Sequence, residues 1–330
     1  LSNREPCVRA PRIILAMIWL VTGACTVCVR AQTWPVKPIR LIVPLAAGGN
    51  LDIVTRSVAQ QLTEVLGQQL IVENRPGINS VVGAEVVARS APDGYTFLMM
   101  SSTFLTTPIL TRSTPYDPLR DFTGVTLIAW LPQVMVVHPS LPARSIREFI
   151  ALAKAHPNQI NYASAGTGSV GDLATELFNR QAGIQTNPIP YKGNALALIE
   201  VVGGQVSMTL GAIGPSLPYI KSARLRPLGV SSASRSPLLA DVPAIAETLP
   251  GYEASLFNAM VAPAATPKVI IGRMHAEIAK IVQRPDLRTR FAQLGTDLAA
   301  SASPEEFTAF MKSDYAKWAR VIRDAGIRAE

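Results

Sequence analysis

The feature that most constrains this chain is a unit that occurs twice, an apolar strand running through a small-residue turn into an amphipathic helix. Residues 39–45 are an apolar run, broken only by Arg40 and rich in β-branched side chains, the pattern of a strand buried on both faces. The turn Ala46-Ala47-Gly48-Gly49-Asn50 breaks it, and Ile53, Val54, Val58, Leu62, Val65 and Leu66 then fall at helical spacing up to Gly67. A strand over 70–72, a turn at 74–77, a helix over 81–88 and a strand over 95–100 complete the first series. The order starts again with a strand over 160–164, a helix over 172–181 and a strand over 187–190. A helix over 195–202 and strands over 206–210 and 226–231 close that second series. Strands alternating with helices in this way build a mainly parallel sheet covered by helices, so two series predict two lobes.

The stretches 125–131 and 133–137 are extended and apolar, and suit a crossing between the lobes. From Pro267 the chain turns helical, with Ile270, Met274, Ile278 and Ile281 in register. A last helix is expected from Pro304 to about Ile322, its Phe307, Phe310, Met311, Trp318 and Val321 serving as core. The expected fold is therefore α/β and two-lobed, each lobe a mainly parallel sheet flanked by helices, joined by crossing strands. Lobe 1 is expected over 33–132 and 256–330, and lobe 2 over 133–255.

The first thirty-one residues read differently. Arg4, Arg9 and Arg12 precede an uncharged apolar stretch over 13–29, and Arg30-Ala31-Gln32 follows. A basic head, an apolar middle and a small residue before the cut make a secretory signal peptide over 1–31, with cleavage after Ala31 and a periplasmic destination. An uncleaved anchor and a lipoprotein at Cys25 are the alternatives. All three cysteines, Cys7, Cys25 and Cys28, lie in this segment, so the processed chain has no disulfide and no thiol nucleophile. It holds together by core burial alone. The segment carries four arginines and one glutamate, so the net charge of +8 falls to +5 on cleavage. That charge is spread thinly, with no basic run interleaved with aromatics, which argues against nucleic acid and suits a small anion.

Catalytic patterns are thin. His138, His156 and His275 stand in unrelated segments, and no Walker, G-x-S-x-G or H-E-x-x-H sequence occurs. No cofactor, metal or catalytic residue is expected. The run from Gly166 to Gly171 fits G-x-G-x-x-G after a strand. A dinucleotide site would need an acidic residue at the end of the next strand, and Pro190-Tyr191-Lys192-Gly193 stands there instead. What such turns do supply is exposed N–H groups at a helix start, which favour a carboxylate. The candidates are Ala46, Ala47, Gly48, Gly49 and Asn50 in the first series, and Ser164, Ala165, Gly166, Thr167, Gly168 and Ser169 in the second. Ser102, Gly211 and the cation Lys192 complete the candidate ligand-binding set. Spacing alone leaves open a two-sided carboxylate clamp or a pair of ordinary tight turns.

Pro38-Ile39-Arg40-Leu41-Ile42-Val43-Pro44 with Gly48-Gly49 and Asp52, then Glu73-Asn74-Arg75-Pro76-Gly77, resembles the Bug family. These are the substrate receptors of tripartite tricarboxylate transporters. Pro92-Asp93-Gly94-Tyr95-Thr96, Tyr116-Asp117-Pro118, Asn161-Tyr162-Ala163-Ser164, Pro190-Tyr191-Lys192-Gly193 and Asp241-Val242-Pro243 extend the likeness in order. The resemblance implies a two-lobed periplasmic-binding-protein fold closing on a small carboxylate such as an amino acid, a di- or tricarboxylate or an aromatic acid. It also implies that backbone N–H groups and ordered waters of the two turns hold the ligand. Ala47, Asn50, Gly171 and Gly211 depart from residues usual in the family (Pro, Thr or Ser, His and Asp), and Phe257-Asn258-Ala259 from its aromatic-aromatic-glycine. The ligand class is thereby left open.

Three functions fit: a monomeric receptor delivering ligand to membrane permease subunits, a sensor read by a membrane signalling protein, or an exported enzyme on the same fold. The receptor is favoured and the enzyme disfavoured, because no acid, base or nucleophile pair is at recognisable spacing. Mass analysis of exported protein is expected to place its N-terminus at or near Gln32. Recovery of an intact 13–29 segment would overturn the cleavage.

Overall fold

A computed structural model describes residues 34–77, 80–111, 114–191 and 193–327, together with Ser2. The leader expected over 1–31, and Cys25 with it, lies outside the described residues. Lys37–Glu330 form one compact unit built on two sheets.

In the first sheet the buried apolar run is β1 (Ile39–Val43), which pairs in parallel with β2 (Leu70–Asn74) and β3 (Thr96–Ser101). Helices α1 (Asn50–Leu66) and α2 (Val81–Ala88) are the crossovers. The predicted stop at Gly67 is a left-handed C-cap whose N–H reaches Thr63 O. Helix α3 (Thr103–Leu110) leads on to β4 (Phe122–Leu131). The second sheet holds β5 (Gln133–Val137), β6 (Asn161–Ser164), β7 (Asn187–Pro190), β8 (Met208–Ala212) and β9 (Arg226–Val230). Its helices are α4 (Ile146–Ala155), α5 (Val170–Ala182), α6 (Asn194–Val202) and α7 (Ile213–Lys221). The chain then returns to the first sheet through β10 (Leu256–Pro263), α8 (Lys268–Val282), α9 (Pro285–Ala292), β11 (Asp297–Leu298) and α10 (Pro304–Ala325).

Strand order is β11-β4-β10-β3-β1-β2 in the first sheet and β7-β6-β8-β5-β9 in the second. Each sheet is parallel through its βαβ half and antiparallel where β10 joins β3 and β4, or β5 joins β8 and β9. A strand arriving from the other lobe enters without a crossover helix, and so pairs in the opposite sense.

Only Pro132 separates β4 in one sheet from β5 in the other. The second passage, residues 253–255, leads into β10. Ser231, fully buried, joins the two passages: Gln133 N–H donates to Ser231 Oγ at 2.8 Å, and Ser231 N–H donates to Gln133 O at 2.8 Å. Ala254 N–H donates to Ser231 O at 3.1 Å.

The last helix starts as its sequence dictates. Ser303 accepts from Glu306 N–H, Glu306 reaches back to Ala302 N–H, and Pro304 takes the first helical position. Its core residues then divide. Phe307 and Met311 pack with Phe104 and Phe257 in the first core, whereas Trp318, Val321 and Ile322 pack with Phe149, Phe178 and Tyr252 in the second. The sequence pattern had placed 256–330 wholly with the first lobe. A helix of 22 residues is long enough to span both cores.

Trp318→Ala is expected to cost about 3–5 kcal/mol, because it empties a buried indole site in the second core. Urea unfolding checks this. A change under about 1 kcal/mol would show that the helix's second half is not part of that core.

Candidate functional site

The turns after β1 and β6 share a device that places a carboxylate at the third helical position. In the first, Asp52 Oδ2 accepts from Gly48 N–H at 3.0 Å and from Arg56 Nε at 3.0 Å. Asp52 Oδ1 accepts from Asn74 at 3.0 Å. In the second, Asp172 Oδ2 accepts from Gly168 N–H at 2.7 Å, while Ser169 caps the helix and accepts from Asp172 N–H. Gly48 and Gly168 both have positive φ, +84° and +73°, the conformation that aims each N–H back at its aspartate. Asp52 therefore orients its loop from inside the helix, since the N-cap itself is Gly49.

The two carboxylates titrate in opposite directions. Burial pushes Asp52 up, but the hydrogen bonds from Arg56, Gly48 and Asn74 outweigh it and hold the group below its ordinary value. Burial dominates at Asp172 and raises it, despite hydrogen bonds from Tyr162 and Gly168. Tyr162 Oη lies 2.7 Å from Asp172 Oδ1 and 2.9 Å from Glu176 Oε1, and burial raises Glu176 as well.

One cavity, of about 370 Å³, opens between the lobes. Helix α3 lies along it and turns Thr103, Thr106, Thr107 and Leu110 inward, an i, i+3, i+4, i+7 face. Helices α5 and α6 meet it at their N-termini: Ser169, Val170 and Gly171 begin one, and Asn194 begins the other. Gln133 and Leu256, the first residues of the two strands entered after crossing, close its base. The wall carries no charged side chain among the described residues. Negative charge there would meet the N-terminal dipoles of two helices, whose first turns carry unbonded N–H groups.

The cavity brings together Ala165, Gly166, Thr167, Gly168 and Ser169 from the sequence-derived set. Ala46, Ala47, Gly48, Gly49 and Asn50 stand outside its wall, the first four exposed. Asn50 is occupied at both ends, donating to Thr296 Oγ1 at 2.8 Å and accepting from Asn258 at 2.7 Å. The first lobe contributes instead the turn after β3. Ser102 precedes that wall and is buried, its Oγ without a partner. Ser164 is buried beside the second turn, accepting from Gly166 N–H. Gly211 sits on β8 opposite Val134 and is not in the wall. Lys192 lies outside the described residues. The sequence reading missed the α3 face, Gln133, Asn194 and Leu256; a hydroxyl stripe at helical spacing directly after a strand was the available signal for the first.

The glycine run has mechanical roles. A Cβ at Gly171 would stand 2.5 Å from Leu210 O, so this glycine lets α5 press against β8, and a histidine could not replace it without moving the helix. Two of the three histidines have local partners: His138 Nδ1 meets Ser140 Oγ at 2.7 Å, and His275 Nε2 meets Ser301 O at 3.0 Å. Among the described residues no group of three or more His, Cys, Asp and Glu side chains is placed to hold a metal ion.

The family described as tripartite tricarboxylate transporter family receptor matches residues 54–327. Protein BugT of Bordetella pertussis is 34% identical over 317 residues, which cover 94% of this chain and 96% of the relative. An R. palustris protein solved with adipate superposes with a TM-score of 0.73 at 33% identity, over 89% of this chain and 99% of that one. MatC from Rhodopseudomonas palustris, solved with bound malate, superposes with a TM-score of 0.69 at 28% identity, over 88% of this chain and 100% of that one.

The two turns should respond differently to added bulk. Gly49 has φ −74° and a Cβ there meets nothing nearer than Ala46 O at 3.6 Å, so Gly49→Val is expected to change ligand affinity less than about threefold. Gly168 has φ +73° and a Cβ there would lie 2.9 Å from Leu110, so Gly168→Val is expected to weaken binding roughly ten- to hundredfold. Calorimetry with a ligand found by screening decides, and equal effects would place the ligand elsewhere.

Proposed function

The chain belongs to the tripartite tricarboxylate transporter receptor family, and from that premise we propose that it captures a small carboxylate between its lobes and hands it to a membrane permease. One observation carries the reading. Two helix N-termini converge on an interlobe cavity whose wall, among the described residues, holds no charged side chain. Such a wall suits an anion held by fixed backbone dipoles, each terminus contributing about 0.3–1 kcal/mol and up to about 2 kcal/mol when partly buried. The adipate and malate bound by the R. palustris proteins are small carboxylates of a size this cavity could enclose.

Binding without chemistry is part of the proposal. Among the described residues the wall offers hydroxyls and amides but no histidine, cysteine, lysine or carboxylate to move a proton or attack a bond. Export to the periplasm is proposed on family membership and on the leader. No helix among the described residues is long and apolar enough to cross a membrane. Capture is proposed to close the lobes about the passages at Pro132 and 253–255, with residues of both lobes already lining one cavity.

A thermal-shift panel of mono-, di- and tricarboxylates, amino acids and aromatic acids tests this. A true ligand at a hundred times its Kd is expected to add about 2.7 kcal/mol of stability. Small-angle scattering is expected to show a decrease in radius of gyration with the same ligand. No shift from any carboxylate would overturn the proposal.

A further inference from the structure

Beneath the second cavity turn three side-chain oxygens meet. Tyr162, 1% exposed, places its Oη 2.7 Å from Asp172 Oδ1 and 2.9 Å from Glu176 Oε1. Both separations lie in the O–H···O range, so each contact needs a hydrogen between its oxygens. Tyr162 owns only one. An ionised carboxylate can only accept, so the second hydrogen sits on a carboxyl and is donated to Tyr162 Oη. The chain runs either way: a protonated Asp172 donates to Tyr162, which donates to Glu176, or the reverse. In both arrangements the two carboxyls carry one proton and one negative charge between them.

The surroundings supply no cation in place of that proton. Strands β5, β6, β7 and β8 carry no charged side chain. On α10, Lys317 is held by Asp314 and Glu253 O, and Asp324 pairs with Arg180 and Arg323, while Lys312 and Arg320 are exposed. On α4, Arg147, Glu148 and Lys154 are exposed, and Glu200 of α6 acts on Tyr191. Tyr252 donates to Ala174 O, and Asn179 Nδ2 reaches Glu176 Oε1 only at 3.4 Å. Burial therefore raises both carboxyls above their ordinary values, and the neighbouring Asp172 raises Glu176 further. Burial and the two carboxyls push the Tyr162 phenol up as well, so it keeps its own proton. Two carboxyls sharing a site lose their protons in separate steps that belong to the pair.

The other oxygen of Asp172 joins the cluster to the cavity. Oδ2 accepts from Gly168 N–H at 2.7 Å, and Gly168 is a wall residue. With the proton on the Tyr162 side, Oδ2 still holds Gly168, so the turn keeps its shape in either protonation state. Charge is what changes. Loss of the proton puts a second negative charge at the start of α5, where the N–H groups would otherwise favour an anion. We propose that Asp172, Tyr162 and Glu176 hold a shared proton at neutral pH and that this proton couples anion capture to pH. The coupling rests on reading the α5 N-terminus as a carboxylate site. An anion in the cavity repels the doubly ionised pair, so capture favours the protonated one. Affinity then falls as pH rises through the pair's upper step, by at most about tenfold per pH unit for one proton.

Carbon-13 NMR of the side-chain carboxyls in ligand-free protein reads the proton directly, with assignments from Asp172→Asn and Glu176→Gln. One proton on the pair is expected at neutral pH, and its loss at higher pH is expected to move the Gly168 amide signal. Two ionised carboxylates at neutral pH overturn the inference. Calorimetry then follows malate, adipate and any other carboxylate that raises the melting temperature, across the upper step and in two buffers of different ionisation enthalpy. Wild type is expected to take up protons on binding and to weaken roughly three- to tenfold per pH unit. In Glu176→Gln the amide N–H replaces the donated proton, so the uptake and the slope are expected to fall to those of the ligand's own titration, which both proteins share. An equal slope in folded Glu176→Gln overturns the coupling, as does a wild-type affinity that ignores pH. Should that variant fail to fold, proton uptake by the wild type decides. If no carboxylate binds, the receptor reading falls and takes the coupling with it, while the NMR titration still decides the shared proton, so the two failures are told apart.

Discussion

The two passages between the sheets meet at Ser231. Its hydroxyl accepts from Gln133 on the first passage, its N–H donates to Gln133 O, and its C=O accepts from Ala254 on the second. Ser231 directly follows β9, so its bonds to Gln133 carry the β5–β9 pairing up to the crossing, and its bond from Ala254 holds the passages side by side. The consequence is geometric. The strands that leave this joint begin with Gln133 and, two residues beyond Ala254, with Leu256, and both lie in the cavity wall. The joint and the cavity wall thus share residues.

The site also resolves a tension between charge and solvation. A buried arginine would attract a carboxylate but would have to be desolvated itself before the lobes could close. Helix N-termini carry their partial charge as backbone N–H groups already fixed by folding, so little reorganisation accompanies binding. Asp52 and Asp172 temper this arrangement. Each uses a carboxylate to hold a glycine N–H, which shapes the turn but places an acid near the helix end. Arg56 balances that acid in the first lobe, where the turn stays outside the cavity. In the second lobe Tyr162 and Glu176 are the neighbours instead, and burial raises the aspartate, which lessens its tendency to carry charge beside a bound anion.

Periodicity made much of the fold legible. The helix at 81–88 and the strand at 187–190 coincide with the elements observed, and Gly67 and Pro304 mark helix boundaries because their backbone preferences are local. Of the two turns the sequence singles out, the second lines the cavity and the first stands outside its wall. The turns after β1 and β3 both lie at the carboxyl ends of parallel strands, and local sequence cannot rank them. Sheet order decides: β3 lies against β10, the returning strand, while β1 is one place further from it. The helix that starts after β3 therefore lines the cavity described above, and the glycines after β1 are not among its lining residues.

The last helix limits how the lobes can move. With Phe307 and Met311 held in one core and Trp318, Val321 and Ile322 in the other, α10 is a third connection alongside the two passages. A helix resists stretching, because its length is fixed by its hydrogen bonds, but it bends gently at little cost. Pulling the lobes straight apart would tear one set of anchors from its core. Rotation that flexes α10 between Met311 and Trp318 keeps both sets in place. Near the middle of the helix, Phe310 packs against Trp130 and Phe257, with ring centroids 5.5 Å and 5.2 Å away. Trp130 lies just before the first passage and Phe257 just after the second, so the aromatic contact binds the helix to the joint itself. Closure is then confined to a rotation about the passages, which would bring the threonine face of α3 toward the N-termini of α5 and α6 across the cavity they already share.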